Sequence, residues 1–319
     1  MTEPPRPEPV RIIFDSDNTM GLAGCDIDDG LALLFALAPQ PPQAAHPPVF
    51  VEGICSSYGN STLEAVHANT QNICRDLGLD IPLMRGATDA AHPDSEAAHF
   101  IVEAARANPG ALSLAVTGST TNLKGALALD ADILSRYKEV VLMGGITQTL
   151  AFNGTIMNEL NFSCDPQATL AVLDAANRGA NIVVATANNC LPCHFFPEEF
   201  KRELTLGDCA DGGYLYRSCA PWFDTMQTRY GVDGFCCWDV LVSAYIVHPQ
   251  LFTDDTMDVA LNPRLLAAGF FDDAAPQTRK TTPMPQAHIG VPRIKDAEAL
   301  CALAYQSWRA ALQACANKG

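Results

Sequence analysis

Residues 10–37 read VRIIF-DSDNTMGLAGCDIDDG-LALLFAL, which is a β-branched and aromatic run, an Asp- and Gly-rich loop and an apolar stretch. The short run 10–14 predicts a buried strand, and the apolar stretch 31–37 predicts the body of a helix. A strand joined to a helix by a loop is the first half of a β-α-β unit. This segment therefore predicts a parallel sheet that begins near the start of the chain.

The alternation of strands and helices continues along most of the chain, which implies a parallel sheet with helices on both faces. We therefore predict the α/β class, with a single doubly wound domain and a mostly parallel central sheet. Further strands are predicted at 49–55, 112–116, 140–143 and 182–186, and further helices at 63–77, 96–107, 123–129, 166–178 and 300–314.

The length of the chain suits one large domain. It has 319 residues, of which 48% are hydrophobic, enough to bury a substantial core. Residues 1–9 are rich in Pro and Glu and are predicted to be a flexible N-terminal leader. Residues 10–319 are predicted to form the domain. Within it, residues 205–235 carry turn residues and aromatics, and are predicted to be a lid or insertion.

The charge balance excludes some partners. The formal net charge of −16 argues against nucleic acid, because phosphate binding needs clustered Lys and Arg. A small neutral substrate or a bound cation fits better. No apolar run approaches the roughly 20 residues that a membrane span needs, and no signal peptide is visible. We therefore predict a cytoplasmic protein without a membrane partner.

In the cytoplasm, the predicted location, the twelve cysteines are expected to be reduced thiols. One group, Cys190-Leu191-Pro192-Cys193-His194, matches both the pattern of covalent haem attachment and a redox CxxC. Haem attachment normally requires export, and a redox CxxC normally opens a helix after the first strand. We therefore interpret this group as ordinary thiols that stand close together by chance.

The acidic loop after the first strand predicts a metal site. Asp15, Asp17, Asp26, Asp28 and Asp29 fall within fifteen residues. Like charges raise one another's pKa, and a bound hard cation removes that cost. In doubly wound sheets, ligands bind outside the carboxyl ends of the strands, which is where this loop lies. The alternative is a solvated acidic loop, as Asp-rich turns often are.

The loop also resembles the first motif of haloacid-dehalogenase-type phosphatases. In that reading Asp15, in the stretch DSDNT, is the nucleophile and Asp17 is the acid. Thr117 then supplies the hydroxyl that follows a later strand. An acidic loop should follow the strand at 140–143, but Gly144-Gly145 stand there instead. The phosphohydrolase hypothesis therefore fails at its last motif.

Six motifs follow one another in order across roughly residues 10–310. They are DxD at 15–17 with DIDDG at 26–30, YGNSTLE at 58–64, TGSTTN at 117–122, MGG at 143–145, Asn153 with ELNFSCDP at 159–166, and WDV with Ala244-Tyr245 at 238–245. This ordered set resembles the nucleoside hydrolase family, of the inosine-uridine preferring N-ribohydrolase type. The first motif departs from the family pattern by an insertion, 18–24. The resemblance implies a Rossmann-like fold and Ca²⁺-dependent hydrolysis of ribonucleosides to free base and ribose.

The resemblance also implies the roles of individual residues. It makes Asp17, both oxygens of Asp29, the backbone carbonyl of Thr117 and Asp239 the Ca²⁺ ligands, an oxygen-only set that suits a hard cation. It makes Asp17 the catalytic base that activates water. The residues implied to bind substrate are Asp28, Asn60, Asn153, Glu159 and Asn161, which contact ribose, and Trp238.

The residue that bears on the preferred nucleobase is Trp238. Many pyrimidine-accepting relatives have His before the metal-binding Asp, whereas purine-preferring relatives have Trp there, which stacks on the base. A Trp packed in the core is the alternative. The family's His-Gly loop is also missing, since Arg85-Gly86-Ala87 runs quickly into Glu96. We therefore predict a purine preference and a role in purine salvage and nucleoside catabolism, with His194 as the leading substitute for the acid.

A non-enzymatic alternative remains from the sequence. The altered first loop and the missing His-Gly loop are also compatible with a catalytically impaired ribonucleoside-binding protein on the same scaffold. Relatives are commonly dimers or tetramers, so the resemblance further implies a homo-oligomer.

Overall fold

A computed structural model describes residues 8–39, 47–205, 212–236, 238–271 and 284–317 of the chain. Within these residues the strands are β1 (Val10–Ser16), β2 (Val49–Ser56), β3 (Leu83–Met84), β4 (Leu112–Val116), β5 (Glu139–Met143), β6 (Ala151–Phe152), β7 (Thr155–Ile156), β8 (Ile182–Ala185), β9 (His194–Phe195), β10 (Phe235–Cys236), β11 (Thr256–Ala260) and β12 (Gln286–Gly290).

Eight of these strands form the central sheet, in the order β11-β12-β8-β5-β4-β1-β2-β3. Every neighbouring pair is parallel except β11 with β12, which are antiparallel at one edge. The strand order reverses between β1 and β4, so the chain has the switch point of a doubly wound sheet there. The remaining four strands form two short antiparallel pairs, β6 with β7 and β9 with β10.

The α-helices surround this sheet. They are α1 (Asp28–Ala36), α2 (Leu63–Asp76), α3 (Glu96–Ala107), α4 (Thr121–Leu129), α5 (Pro166–Asp174), α6 (Ala187–Cys190), α7 (Pro197–Thr205), α8 (Gly212–Tyr230), α9 (Val240–Val247), α10 (Pro263–Leu266) and α11 (Ala297–Ala316). Short 3₁₀ turns cover Ile133–Arg136, Ala175–Arg178 and Pro249–Leu251.

Each face of the sheet packs into its own apolar core, because successive side chains of a strand point to opposite faces. On β1, Phe14 belongs to the core with α1, α9 and α11, whereas its neighbour Ile13 belongs to the core with α3, α4 and α5. Both side chains are almost fully buried. A strand buried on both faces reads as a continuous apolar run, which is why the sequence pattern identified β1.

The α/β class and the mostly parallel sheet with helices on both faces are therefore confirmed. The predicted helix 96–107 and strand 112–116 have the predicted bounds, and most other ends shift by one to three residues. The predicted helix 166–178 is an α-helix to Asp174 followed by a 3₁₀ turn. The sequence did not predict the edge strands β3, β11 and β12.

The predicted leader and lid are only partly covered by the structure. Residues 1–7 of the leader and 206–211 of the lid lie outside the described residues. Most of the rest of 205–235 is the helix α8, which carries Pro221 in its interior and buries Trp222 and Met226. The division into a leader, one domain and a lid stays a prediction. In the parts of the chain that are described, no helix is long and apolar enough to cross a membrane.

Candidate active site

The predicted site residues begin at the carboxyl end of β1. Asp15 is paired within the strand, whereas Asp17 lies just beyond its end, and both are fully buried. The side chain of Asn122, in the first turn of α4, donates to Asp15 Oδ1 at 2.8 Å and to the Ser56 carbonyl at 3.1 Å. This amide therefore joins the ends of β1 and β2 to the start of α4.

The inserted segment 18–24 folds back onto the protein. The Asn69 amide donates to the carbonyls of Asn18 and Met20 at 3.1 and 3.2 Å, and Thr19 Oγ1 donates to the Asp26 carbonyl at 2.8 Å. Met20 is buried against Gly30, where an added Cβ would lie 2.7 Å from the Met20 side chain. The Gly at position 30 therefore leaves room for the inserted loop.

Two helix N-termini meet at this edge of the sheet. Asp28 and Asp29 occupy the first turn of α1, and Asp239 is the N-cap residue of α9. The Asp239 backbone N–H donates to Asp28 Oδ2 at 3.0 Å, and Ser243 Oγ donates to the Ala32 carbonyl at 2.7 Å. The partial positive charge of both helix N-termini favours carboxylates at this place.

Asp28, Asp29 and Asp239 form the one group, among the described residues, with the spacing of a metal site. Each offers a carboxylate oxygen, and these oxygens all lie within 4.8 Å of one another. Asp29 Oδ1 accepts from Thr117 Oγ1 at 2.7 Å, whereas Asp29 Oδ2 is buried and has no hydrogen-bond partner. A buried carboxylate oxygen without a donor is costly unless a cation or a proton compensates it.

Asp17 lies beside this group but is held by Asn60. The Asn60 backbone N–H donates to Asp17 Oδ2 at 2.6 Å, and the Asn60 amide donates to Asp17 Oδ1 at 3.2 Å. A Cβ at Gly59 would lie 2.0 Å from Asp17 Oδ2, so only glycine permits this approach. The three-carboxylate group thus contains Asp28 and not Asp17, which differs from the predicted ligand set.

Burial dominates the electrostatics of the site. It raises the pKa of Asp17 to about 6, although the Asn60 N–H opposes the rise. Burial likewise raises the pKa of Asp15 to about 7, against the hydrogen bond from Asn122. The pKa values of Asp29 and Asp239 are raised well above the usual range, first by burial and then by neighbouring Asp charges.

A hard divalent cation fits these residues. The candidate ligand atoms are all oxygens, and the unpartnered Asp29 Oδ2 lies among them. Thr117, whose Oγ1 donates to Asp29 Oδ1, lines the same pocket and offers a carbonyl oxygen. That carbonyl also accepts from the Asn161 amide at 2.9 Å, which leaves its second lone pair available. Carboxylate and carbonyl oxygens are the ligands that Ca²⁺ and Mg²⁺ take in proteins.

The group opens into a partly open pocket that encloses about 480 Å³ of empty space, open solvent included. We call two groups of its lining residues the acidic set and the apolar set. The acidic set is Asp26, Asp28, Asn60, Thr117 and Asp239. The apolar set is Met143, Leu150, Met157, Leu160, Ala187 and Trp238.

Trp238 is both a core residue and a lining residue. Its side chain is 5% exposed and packs in the apolar core, yet it also borders the pocket next to Asp239. The two interpretations drawn from the sequence, core packing and a surface for the base, therefore describe the same side chain.

Asn158, Glu159 and Asn161 complete the lining. Asn161 bridges two strand ends, because its amide also donates to the Met143 carbonyl at 3.1 Å. Glu159 accepts from the backbone N–H groups of Phe162 and Ser163 at 2.8 and 3.1 Å, and burial raises its pKa to about 7.

Asn153 does not line this pocket. It sits at φ +48° between β6 and β7, and its amide donates to the carbonyls of Tyr230 and Gly231 at 3.1 and 2.8 Å. No individual role was predicted from the sequence for Asp26, Asn158 and most of the apolar set. Asp26 was visible in the acidic loop, whereas no sequence signal marked Leu150 or Met157.

His194 does not reach the pocket either. Its Nε2 lies 2.8 Å from the Asp233 carbonyl, and its Nδ1 lies 3.7 Å from Cys236 Sγ. No histidine of the described residues lines the pocket. The structure therefore does not bring the predicted substitute acid to the site.

Comparisons with known proteins identify the family of the chain. Residues 12–282 match the family described as inosine-uridine preferring nucleoside hydrolase. A probable uridine nucleosidase 2 of Oryza sativa is 26% identical over 277 residues, 77% of each chain. The pyrimidine-specific ribonucleoside hydrolase RihB of Escherichia coli O157:H7 is 25% identical over 251 residues, 70% of this chain and 76% of RihB. A purine-preferring ribonucleoside hydrolase from Gardnerella vaginalis shares the fold with a TM-score of 0.75 at 19% identity, over 95% and 99% of the two chains.

Proposed function

The chain belongs to the inosine-uridine preferring nucleoside hydrolase family and is an enzyme, and on this premise we propose Ca²⁺-dependent hydrolysis of ribonucleosides to free base and ribose. The observation that carries the proposal is the group of Asp28, Asp29 and Asp239, which holds an unpartnered carboxylate oxygen and borders a pocket with polar and apolar lining residues.

The cation would be held by Asp17, both oxygens of Asp29, the Thr117 carbonyl and Asp239. When bound, it would supply Lewis-acid activation of a water molecule and a grip on the sugar hydroxyls. Asp28 also offers an oxygen within 4.8 Å of those of Asp29 and Asp239. This position supports a contact of Asp28 with the ion in addition to its proposed contact with ribose. An oxygen-only set of this kind favours Ca²⁺ over the softer transition metals.

Asp17 is proposed as the general base. Its carboxylate is fixed by two donors from Asn60, so its orientation is set before substrate binds. With its pKa raised by burial to about 6, it is ionised at neutral pH and can accept the proton of the attacking water. The carboxylates around it also stabilise the positive charge that develops on ribose as the glycosidic bond breaks.

Ribose recognition is proposed for Asp28, Asn60, Glu159 and Asn161, all of which line the pocket. Asn153 would join them only if its bonds to Tyr230 and Gly231 were exchanged for substrate. A site built to bond hydroxyls rejects sugars that lack them, because its buried polar groups are then left unpaired. We therefore expect 2′-deoxyribonucleosides to be poor substrates.

A purine preference is proposed from Trp238. Its ring borders the pocket beside Asp239, where it can stack on the base, and the larger purine ring gains more from stacking than a pyrimidine. The relatives named above include pyrimidine-specific and purine-preferring proteins, so the base is decided by this chain's own pocket. A role in purine salvage depends on this preference.

The phosphohydrolase alternative is set aside. The chain matches the nucleoside hydrolase family over 12–282, and the strand β5 is followed by Gly144 and Gly145 without a carboxylate. We further propose a cytoplasmic location and a homo-oligomer. The subunit number would be read from light scattering of the purified protein.

The test is ribose release from a panel of purine and pyrimidine ribonucleosides and their 2′-deoxy forms. Wild type, Asp17→Ala and Asp17→Asn would be assayed after chelation, with Ca²⁺, Mg²⁺ or no metal returned. Release from a ribonucleoside that needs both Asp17 and Ca²⁺ is expected, with Asp254→Asn, an exposed carboxylate, as the unaffected control. Tight ribonucleoside binding without release from any member would instead identify a catalytically impaired binding protein.

A further inference from the structure

The two thiols of the CxxC segment face different parts of the molecule. Cys190 Sγ lies 3.4 Å from the Thr186 carbonyl and 3.6 Å from the Trp238 carbonyl. Cys193 Sγ instead lies 3.0 Å from the Sγ of Cys301, a residue 108 positions away on α11. The motif is therefore not a redox pair in itself, and the tertiary structure gives Cys193 a different partner.

This thiol pair lies at an open groove between α7 and α11, separate from the pocket described above. The groove has an empty volume of about 1240 Å³ and is bordered by Cys301, Tyr305, Glu199 and Glu203. Cys301 is partly exposed, whereas Cys193 is fully buried. Tyr305, which is 4% exposed, has a hydroxyl without a hydrogen-bond partner. A small molecule in the groove can thus reach Cys301 but not Cys193.

We propose that Cys301 and Cys193 are a thiol-oxidation site, at which the two residues form a reversible disulfide with each other. The oxidant is a small disulfide such as oxidised glutathione. The Cys301 thiolate attacks one sulfur of the glutathione disulfide, forming a mixed disulfide and releasing one glutathione thiolate. Cys193 then attacks Cys301 Sγ, which forms the protein disulfide and releases the second glutathione. Each thiol loses one proton, and the two electrons pass to glutathione, so the exchange balances.

The geometry favours the second step. The two sulfurs are already in contact, and a movement of about 1 Å brings them to the disulfide bond length of about 2.05 Å. A buried partner thiol in contact acts at a very high effective concentration, which an external thiol cannot match. Another buried thiol of the described chain, Cys236, contacts His194 Nδ1 at 3.7 Å.

The first step is expected to be slow. Contact with Cys193 and burial raise the pKa of the Cys301 thiol, and the nearby Glu199 charge adds to the rise. Since only the thiolate attacks a disulfide, the exchange has to be followed to equilibrium and not by its initial rate.

The experiment incubates the full chain with oxidised glutathione at about pH 8.5, where thiolates are better populated, and then blocks the remaining thiols with an alkylating agent. Before alkylation the intact mass should fall by that of two hydrogens, and peptide mapping of the alkylated protein should join Cys193 to Cys301. Dithiothreitol added before alkylation should reverse both. The apparent Tm should rise by several degrees on oxidation, because the disulfide closes a long loop.

Two variants distinguish this site from nonspecific oxidation. Cys193→Ala should trap the mixed disulfide, with one glutathione on Cys301, because the resolving thiol is missing. Cys301→Ala should leave Cys193 unmodified, because Cys193 is buried. Cys315→Ser, a partly exposed cysteine on the same helix, should form the disulfide as wild type does. A disulfide between other cysteines, or glutathione retained on Cys301 of the wild type, would overturn the proposal. The readouts use no nucleoside, so they are independent of the proposed hydrolase activity.

Discussion

The acidic set and the apolar set line the same pocket but are built in different ways. The acidic set follows the ends of central strands and the first turns of α1 and α9, whose backbones are fixed by the sheet and by each other. Leu150, Met157 and Leu160 of the apolar set lie in the long connection between β5 and α5, which contains the small β6–β7 hairpin. The carboxylates of the site are therefore held by the scaffold, whereas the shape of the apolar part of the pocket depends on a connecting segment.

The largest expected effect comes from Asp29, which forms the three-carboxylate group with Asp28 and Asp239 of the acidic set. Asp29→Asn removes the charge of the carboxylate whose Oδ2 has no partner, so Ca²⁺ binding and activity should fall together. We expect kcat/KM to decrease by about 10³-fold or more, equivalent to about 4 kcal/mol. Calorimetric titration with Ca²⁺ and ribose release measure the two effects. The chelated variant should be no less stable than chelated wild type, since it carries one buried charge fewer. Retained Ca²⁺ affinity would contradict the assignment.

A smaller effect is expected from the apolar set at Trp238. Trp238→Ala should lower kcat/KM for purine ribonucleosides by about 10- to 100-fold, because stacking on a base contributes about 1–3 kcal/mol. Trp238→Phe should keep most of the activity, and the loss with pyrimidine ribonucleosides should be smaller. Trp222→Phe, at a buried Trp that does not line the pocket, is the matched control. Equal losses for both base classes would mean that Trp238 supports the fold and does not select the base.

Substitutions of Asp26 test the connection between the inserted segment 18–24 and the acidic set. It lines the pocket and hydrogen-bonds the side chain of Asp28, and its Oδ1 accepts from the Ile27 N–H at 2.7 Å. Asp26→Ala should cost about tenfold in kcat/KM, or about 1.4 kcal/mol, mainly through KM. Asp26→Asn should restore most of it, because an amide can still donate to Asp28. Failure of Asn to restore activity would show that the Asp26 charge itself is required.

The smallest effect is a dependence of stability on pH in the chelated protein. Burial raises the pKa of Asp17 to about 6 and those of Asp15 and Glu159 to about 7, above their values in an unfolded chain. The folded protein therefore retains protons that the unfolded chain has released, and its stability falls as the pH rises from about 4 to about 7. In chelator, the apparent Tm should be several degrees lower at pH 8 than at pH 5.

Calcium should reduce this loss of stability at high pH, because the bound ion compensates the charge of the ionised carboxylates. Thermal scans at both pH values, with chelator and with Ca²⁺, provide the comparison. A chelated protein whose Tm does not change over this range would show that water or counterions already compensate the acidic set. Asp254→Asn, at an exposed position, should follow wild type throughout.

The sequence predicted the acidic set better than the apolar set for a physical reason. Strands buried on both faces are apolar runs with sharp ends, and polar residues at those ends stand out, as Thr117 of the acidic set does. Leu150 and Met157 are apolar residues in a connecting segment, and nothing in their pattern distinguishes a pocket lining from a core. Asn153 is the opposite case: its motif position predicts a substrate contact, which stays a prediction, whereas its amide donates to two backbone carbonyls outside the pocket.

The sequence by itself determined the α/β class, the parallel sheet, the family and the carboxylate-rich end of β1, because these follow from local periodicity and from motifs in a fixed order. Only the tertiary structure decided which carboxylates approach within 4.8 Å, that His194 stays away from the pocket, and that Cys193 meets Cys301 and not Cys190. The reason is that these contacts join residues up to 211 positions apart, as Asp28 and Asp239 are. Their distances depend on how α1, α9 and α11 pack on the sheet, which no local pattern encodes.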